Sequence, residues 1–132
     1  MAGNGIRKIS VELNATDLAS GVNTVATFPA QTAIMAAGVE VTEALAGATV
    51  LTFDIGTGAD DDEFVAAYAM AGKSAGDVAP SLPGMAYVGA EDTLDLKVDT
   101  LTGTATAGKL RVWALVMDCD GRGADEVARD QA

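Results

Sequence analysis

The sequence predicts an all-β fold: a single-domain antiparallel β-sandwich, jelly-roll-like, with about seven or eight short strands. Three observations carry this. Apolar and polar residues alternate strictly over several short runs, the period of a strand with one dry face. Fifteen glycines against three prolines supply many tight turns. Hydrophobic residues make up 49% of the chain but aromatics only 5%. The core is therefore built from Ala, Val, Leu, Ile and Met, in thin layers rather than around large rings.

The strands follow in order. Ile9, Val11 and Leu13 alternate with Ser10 and Glu12. Asn14 to Gly21 reads as a loop with a short helical turn, and Thr24 to Phe28 as a strand that Pro29 forces to exit. Val39 and Val41 alternate with Glu40, Thr42 and Glu43, and after Ala46-Gly47 a new run places Leu51, Phe53 and Ile55 on one side. The Ala-Gly step between these two runs reads as a hairpin turn. Asp62 to Ala71 fits a helix through positions 64, 68 and 71, behind an acidic start. It also fits a strand, because Phe64, Ala66, Tyr68 and Met70 alternate. Its neighbours are strands, so strand is the preferred reading. Leu94, Leu96 and Val98 alternate with Asp95, Lys97 and Asp99, which predicts one dry and one wet face. Leu110 to Met117 is apolar on both faces apart from Arg111, as expected of a strand buried on both sides or covered by a neighbouring subunit.

At 132 residues the chain fits one domain, with no repeat and no linker to divide it. Residues 1–8 read as an N-terminal arm, and Asp118 to Ala132 as a polar tail. The start of the chain lacks an apolar stretch behind a basic one, so no cleaved signal is expected. Leu18 to Val39 is uncharged, but Asn23, Pro29, Gln31 and several threonines make it unsuited to span a membrane. The lone Cys119 cannot form an internal disulfide, and it fits ordinary packing near a strand end in a reducing cytoplasm. Met1, Met35, Met70, Met85 and Met117 are expected to fill gaps in the core.

Charge and composition exclude several functions. Eight Lys and Arg against 19 Asp and Glu give a formal net charge of −11. Such a chain repels phosphate backbones and anionic membranes, so neither nucleic acid nor membrane is an expected partner. Histidine is absent, which removes Ser-His-Asp and Cys-His sites and most zinc and non-haem iron sites. Lys73-Ser74 is a loop dipeptide rather than a catalytic pair. With 19 acidic residues some carboxylates always lie near each other, so proximity alone does not mark a glycosidase. No glycine run has the form of a phosphate loop. Asp60-Asp61-Asp62-Glu63, and Asp118-Cys119-Asp120-Gly121 with Asp125 beyond, use oxygen donors that suit calcium. Neither completes the twelve-residue calcium loop, and Gly121-Arg122-Gly123-Ala124-Asp125 occurs once where a calcium nonapeptide needs an array. The expectation is solvated acidic turns: no enzyme, no metal, no cofactor. Trp113 with Arg111 reads either as an interface anchor or as a core tryptophan.

Several segments together carry a resemblance. They are Val39-Glu40-Val41-Thr42-Glu43-Ala44, Thr49-Val50-Leu51-Thr52-Phe53-Asp54-Ile55-Gly56, the glycine-acidic turn from Thr57-Gly58-Ala59-Asp60 to Glu63-Phe64, and Thr104-Ala105-Thr106-Ala107-Gly108-Lys109-Leu110-Arg111-Val112. Over residues 35–117 the pattern is similar to small head-decoration (cement) proteins of tailed bacteriophages. The resemblance implies a homotrimeric sandwich on the outer surface of an icosahedral virion. It would be made in the bacterial host cytoplasm and bound to the major capsid protein, stabilising the shell against DNA pressure. In that setting the arm Met1 to Lys8, whose only charged side chains are Arg7 and Lys8, and the pair Arg111 and Trp113 are the expected partner-binding residues. A head-fibre or tail component shares these properties. A carbohydrate-binding sandwich module needs more exposed aromatics than Trp113, Tyr68, Tyr87 and three phenylalanines supply.

Overall fold

A computed structural model describes residues 6–119. Eight strands appear among them: β1 (Ile6–Asn14), β2 (Gly21–Phe28), β3 (Thr32–Ala46), β4 (Val50–Thr57), β5 (Val65–Ala69), β6 (Ala86–Val88), β7 (Asp92–Thr102) and β8 (Ala107–Asp118). A single 3-10 turn, Ala15–Asp17, follows β1. Sheet A has the order β1-β8-β3-β6, and sheet B the order β2-β7-β4-β5. All paired strands are antiparallel. The ladders β4–β5, β3–β6, β2–β7 and β1–β8 nest inside one another, so the chain is one long hairpin folded across two sheets. That is the eight-stranded jelly roll of the sequence-based expectation.

The fold closes on the apolar side chains that alternation places inward. Phe28, Ile34, Phe53, Ile55, Leu96 and Leu110 are each at most 1% exposed. Phe53 meets Tyr68 edge-to-face, with ring centroids 5.6 Å apart. β5 is a strand, as preferred over a helix, with Tyr68 buried on it and Phe64 and Met70 buried just beyond its two ends.

Four local expectations change. Ala46-Gly47 is not a hairpin turn, because β3 and β4 belong to different sheets. Gly47, at φ 90°, carries the chain across the sandwich beside the β7–β8 turn, and Thr106 N–H donates to the Ala46 carbonyl at 2.8 Å. Close contact with Thr104 and Thr106 leaves no room for a Cβ at Gly47. The last strand, β8, is buried on one face only: Val112, Ala114 and Val116 are buried while Trp113, Leu115 and Met117 are half-exposed. Asp95, expected on the wet face of β7, is 4% exposed. Ile6, Arg7 and Lys8 belong to β1 rather than to an arm, and Asp118 ends β8 rather than starting a tail. The remainder of the expected arm and tail, with Asp120, Gly121 and Asp125, lies outside the described residues.

Candidate assembly face

The outer face of sheet A is assembled by register. On β8 it presents Arg111, Trp113, Leu115 and Met117. Beside them on β1 stand Glu12, Ser10, Lys8 and Ile6, and on β3 stand Glu40, Gly38, Ala36 and Ala33. Tyr87 of β6 lies opposite Ala33. Trp113 can lie against the sheet because position 38 has no side chain. A Cβ there would stand 2.6 Å from Trp113 Cζ2 and 2.7 Å from Ser81 Oγ. Gly38 is therefore the seat of the tryptophan, and the β5–β6 connection closes over its edge through Ser81.

This face is apolar with a charged end. Ile6 is 57% exposed and Tyr87 56%. Val78, Leu82 and Met85 of the β5–β6 connection are also exposed. Met85 thus does not fill the core as expected. Arg111 lies 3.5 Å from Glu40 and 4.0 Å from Glu12, so its charge is neutralised within the face. Three of the four expected partner-binding residues, Lys8, Arg111 and Trp113, share this face. Arg7 does not: it stands opposite Val116, on the inward parity of β1, and pairs with Asp118 at 3.2 Å. The sequence reading missed Ile6 and Tyr87. The apolar run of β8 was the signal that this face needs a cover, but only pairing shows which residues lie beside it.

The opposite surface has a different character. The outer face of sheet B carries Asp54 on β4 and Asp95, Lys97 and Asp99 on β7, with the acidic turn 60–63 at its end. Lys97 Nζ lies 2.9 Å from Asp61 and 4.0 Å from Asp99, and the contact with Asp61 pushes its pKa up. Burial raises the Asp54 carboxyl above its ordinary value, opposed by the Ala67 N–H that it accepts at 2.6 Å and reinforced by Asp99. Asp60 is held below the usual carboxylate range by contact with Asp62 and Glu63, which are themselves raised by it. Asp60, Asp61 and Asp62 lie close enough together to share an ion. A shallow cleft between β1 and β2, lined by Leu13, Asn14, Leu18 and Asn23, brings together no catalytic constellation.

No protein-family model and no curated protein matches the sequence. Solved structures do. A chain of the cyanophage Pam1 capsid asymmetric unit superposes with a TM-score of 0.63 at 19% identity, covering 89% of each chain. The fold is one found in phage capsids. A chain of the acid-stable capsid of Helicobacter pylori bacteriophage KHP30 gives a TM-score of 0.64 at 10% identity, over 86% of this chain and 87% of that one. The capsid of Ralstonia phage GP4 contains another, with a TM-score of 0.63 at 16% identity over 89% and 86%. At such identities the likeness extends to the whole jelly roll and is a likeness of fold. No helix among the described residues is long and apolar enough to cross a membrane.

Proposed function

We propose that this chain is a virion structural protein that decorates the outer surface of an icosahedral phage head. The observation that carries the reading is the apolar, Trp113-centred outer face of sheet A, on a jelly roll shared with chains of three phage capsids. A contiguous apolar surface on a water-facing sheet is what a protein interface leaves when its partner is absent. A half-buried tryptophan beside an arginine has the composition of an interface centre. In this reading the face seats on the major capsid protein, and the acidic face of sheet B points to solvent. Self-repulsion between those acidic surfaces keeps decorated particles apart. The protein acts as a homotrimer at local three-fold positions, bridging neighbouring capsid subunits without catalysing a reaction.

The test is quantitative mass spectrometry of purified particles from the native source, counting copies of this chain per copy of the major capsid protein. Near parity is expected. A few copies per particle would instead assign the chain to a fibre or tail position, and absence from particles would overturn a virion role.

A further inference from the structure

We propose that the edge of β2 is a strand-addition site, taking an extended segment of a partner protein whose lysine or arginine enters the cleft between β1 and β2. The site stands apart from the apolar face of sheet A, so its failure would leave the decoration reading untouched.

β1 and β6 bound sheet A, and β2 and β5 bound sheet B. An unpaired edge presents free N–H and C=O groups, and natural proteins blunt it with charge, proline, shortness or a cover. Three of the four edges are blunted. β1 carries Arg7, Lys8 and Glu12. β6 is three residues long, and Pro80 and Pro83 lie in the connection that leads to it. β5 is five residues long, and the Leu82 N–H closes on the Phe64 carbonyl at its start, at 2.7 Å. β2 has none of these devices. It runs for eight residues without charge or proline, and no charged residue occurs from Leu18 to Val39. Among the described residues its backbone pairs with that of β7 alone. A bulge at Val25 leaves Gly21 to Thr24 as a regular edge.

That stretch is held ready for a partner. The Asn23 side chain accepts from the Ala19 N–H at 2.9 Å and donates to the Ala19 carbonyl at 2.8 Å, which fixes the entry to the strand. Asn23 stands opposite the buried Leu96, on the inward side, while Val22 and Thr24 face out. An added strand follows the same alternation, so its inward side chains meet the cleft. Leu13 and Leu18, both packed against the core, line that cleft together with the exposed carboxylates of Glu12 and Asp17. An apolar lining with carboxylates beside it fits the methylene stem and cationic head of lysine or arginine. The same carboxylates select against a second copy. Pairing β2 with β2 across a two-fold axis would crowd Glu12 and Asp17 of both copies, in a chain of net charge −11.

The experiment titrates the isotope-labelled full chain with a capped heptapeptide of alternating threonine and valine carrying a central lysine, read by amide NMR and hydrogen exchange. Saturable shifts centred on residues 21–24 are expected, with slowed exchange of the outward amides there. A peptide N-methylated at every residue should not bind, because its backbone donors are gone. Glutamate in place of the lysine should weaken binding at least about fivefold. In the protein, Glu12→Gln with Asp17→Asn should weaken the lysine peptide about two- to fivefold and leave a norleucine version unchanged. Trp113→Ser should bind as the native chain does, which separates this site from the face of sheet A. Absence of saturable binding, shifts centred away from β2, or equal binding of the N-methylated or glutamate peptide would overturn the site.

Discussion

Gly38 and Trp113 make a pair in which the smallest residue admits the largest. Gly38→Ala brings a methyl group within 2.6 Å of the indole, so the ring must lift or the strand must shift. The expected cost is about 1–3 kcal/mol. Because Trp113 is the only tryptophan, its fluorescence reports the displacement directly. An unchanged emission spectrum and urea midpoint would contradict the seat. Asp54 offers a second test, through pH. Its folded pKa is raised above the ordinary 3.8, so the native state holds its proton to higher pH than the unfolded chain does. The Asp54 contribution to stability therefore falls as pH rises from 3.8 through the folded value, and stays lost at neutral pH. Asp54→Asn keeps an acceptor for the Ala67 N–H and removes the charge. It should be more stable than the native chain at neutral pH, with the difference vanishing below 3.8, as urea midpoints across that range would show. Trp113 was legible from the sequence as an interface candidate. Gly38 and Tyr87 were not, because their importance comes from strands distant in the chain.

At the scale of elements, alternation located the strands and little else. The runs 9–13, 24–28, 39–43, 51–55, 94–98 and 110–117 all lie within strands. The chief error, a hairpin at Ala46-Gly47, has a simple cause: a turn residue marks a reversal without saying which sheet receives the next strand. The short β5 resisted a clear reading because its register breaks against β4, after Phe53, near Ala67. Ala67 has φ 51°, a left-handed conformation that costs a residue with a Cβ about 1 kcal/mol or more. Ala67→Gly should therefore stabilise the protein by about 0.5–1 kcal/mol, whereas the same change at Ala66, where φ is negative, should destabilise it by a similar amount. Equal effects at the two positions, measured by denaturant unfolding, would remove the strain argument.

The whole molecule has two unlike faces, one apolar around Trp113 and one acidic around Lys97. A protein seated through the first should lose its partner when that face is made polar, and keep its fold. The double variant Trp113→Ser and Leu115→Ser changes two half-exposed side chains and leaves the inward residues Val112, Ala114 and Val116 untouched. Its thermal midpoint should shift by only a few degrees, while its retention on capsids in co-sedimentation should fall at least about tenfold, the loss expected when an interface centre is truncated. Full retention would move the contact to another surface.

Local chemistry alone settled the all-β class, the approximate strand count, the acidic surface and the absence of histidine chemistry, because period-two burial, glycine turns and composition are properties of short segments. Tertiary structure decided which sheet each strand joined, that β8 is covered on one side only, and that Lys8, Arg111 and Trp113 share a face while Arg7 does not. It also set the buried Asp95 across the ladder from Gly56, a residue remote in the chain. These juxtapositions arise from ladder register between remote strands, and no local pattern encodes which remote residue will stand across the ladder.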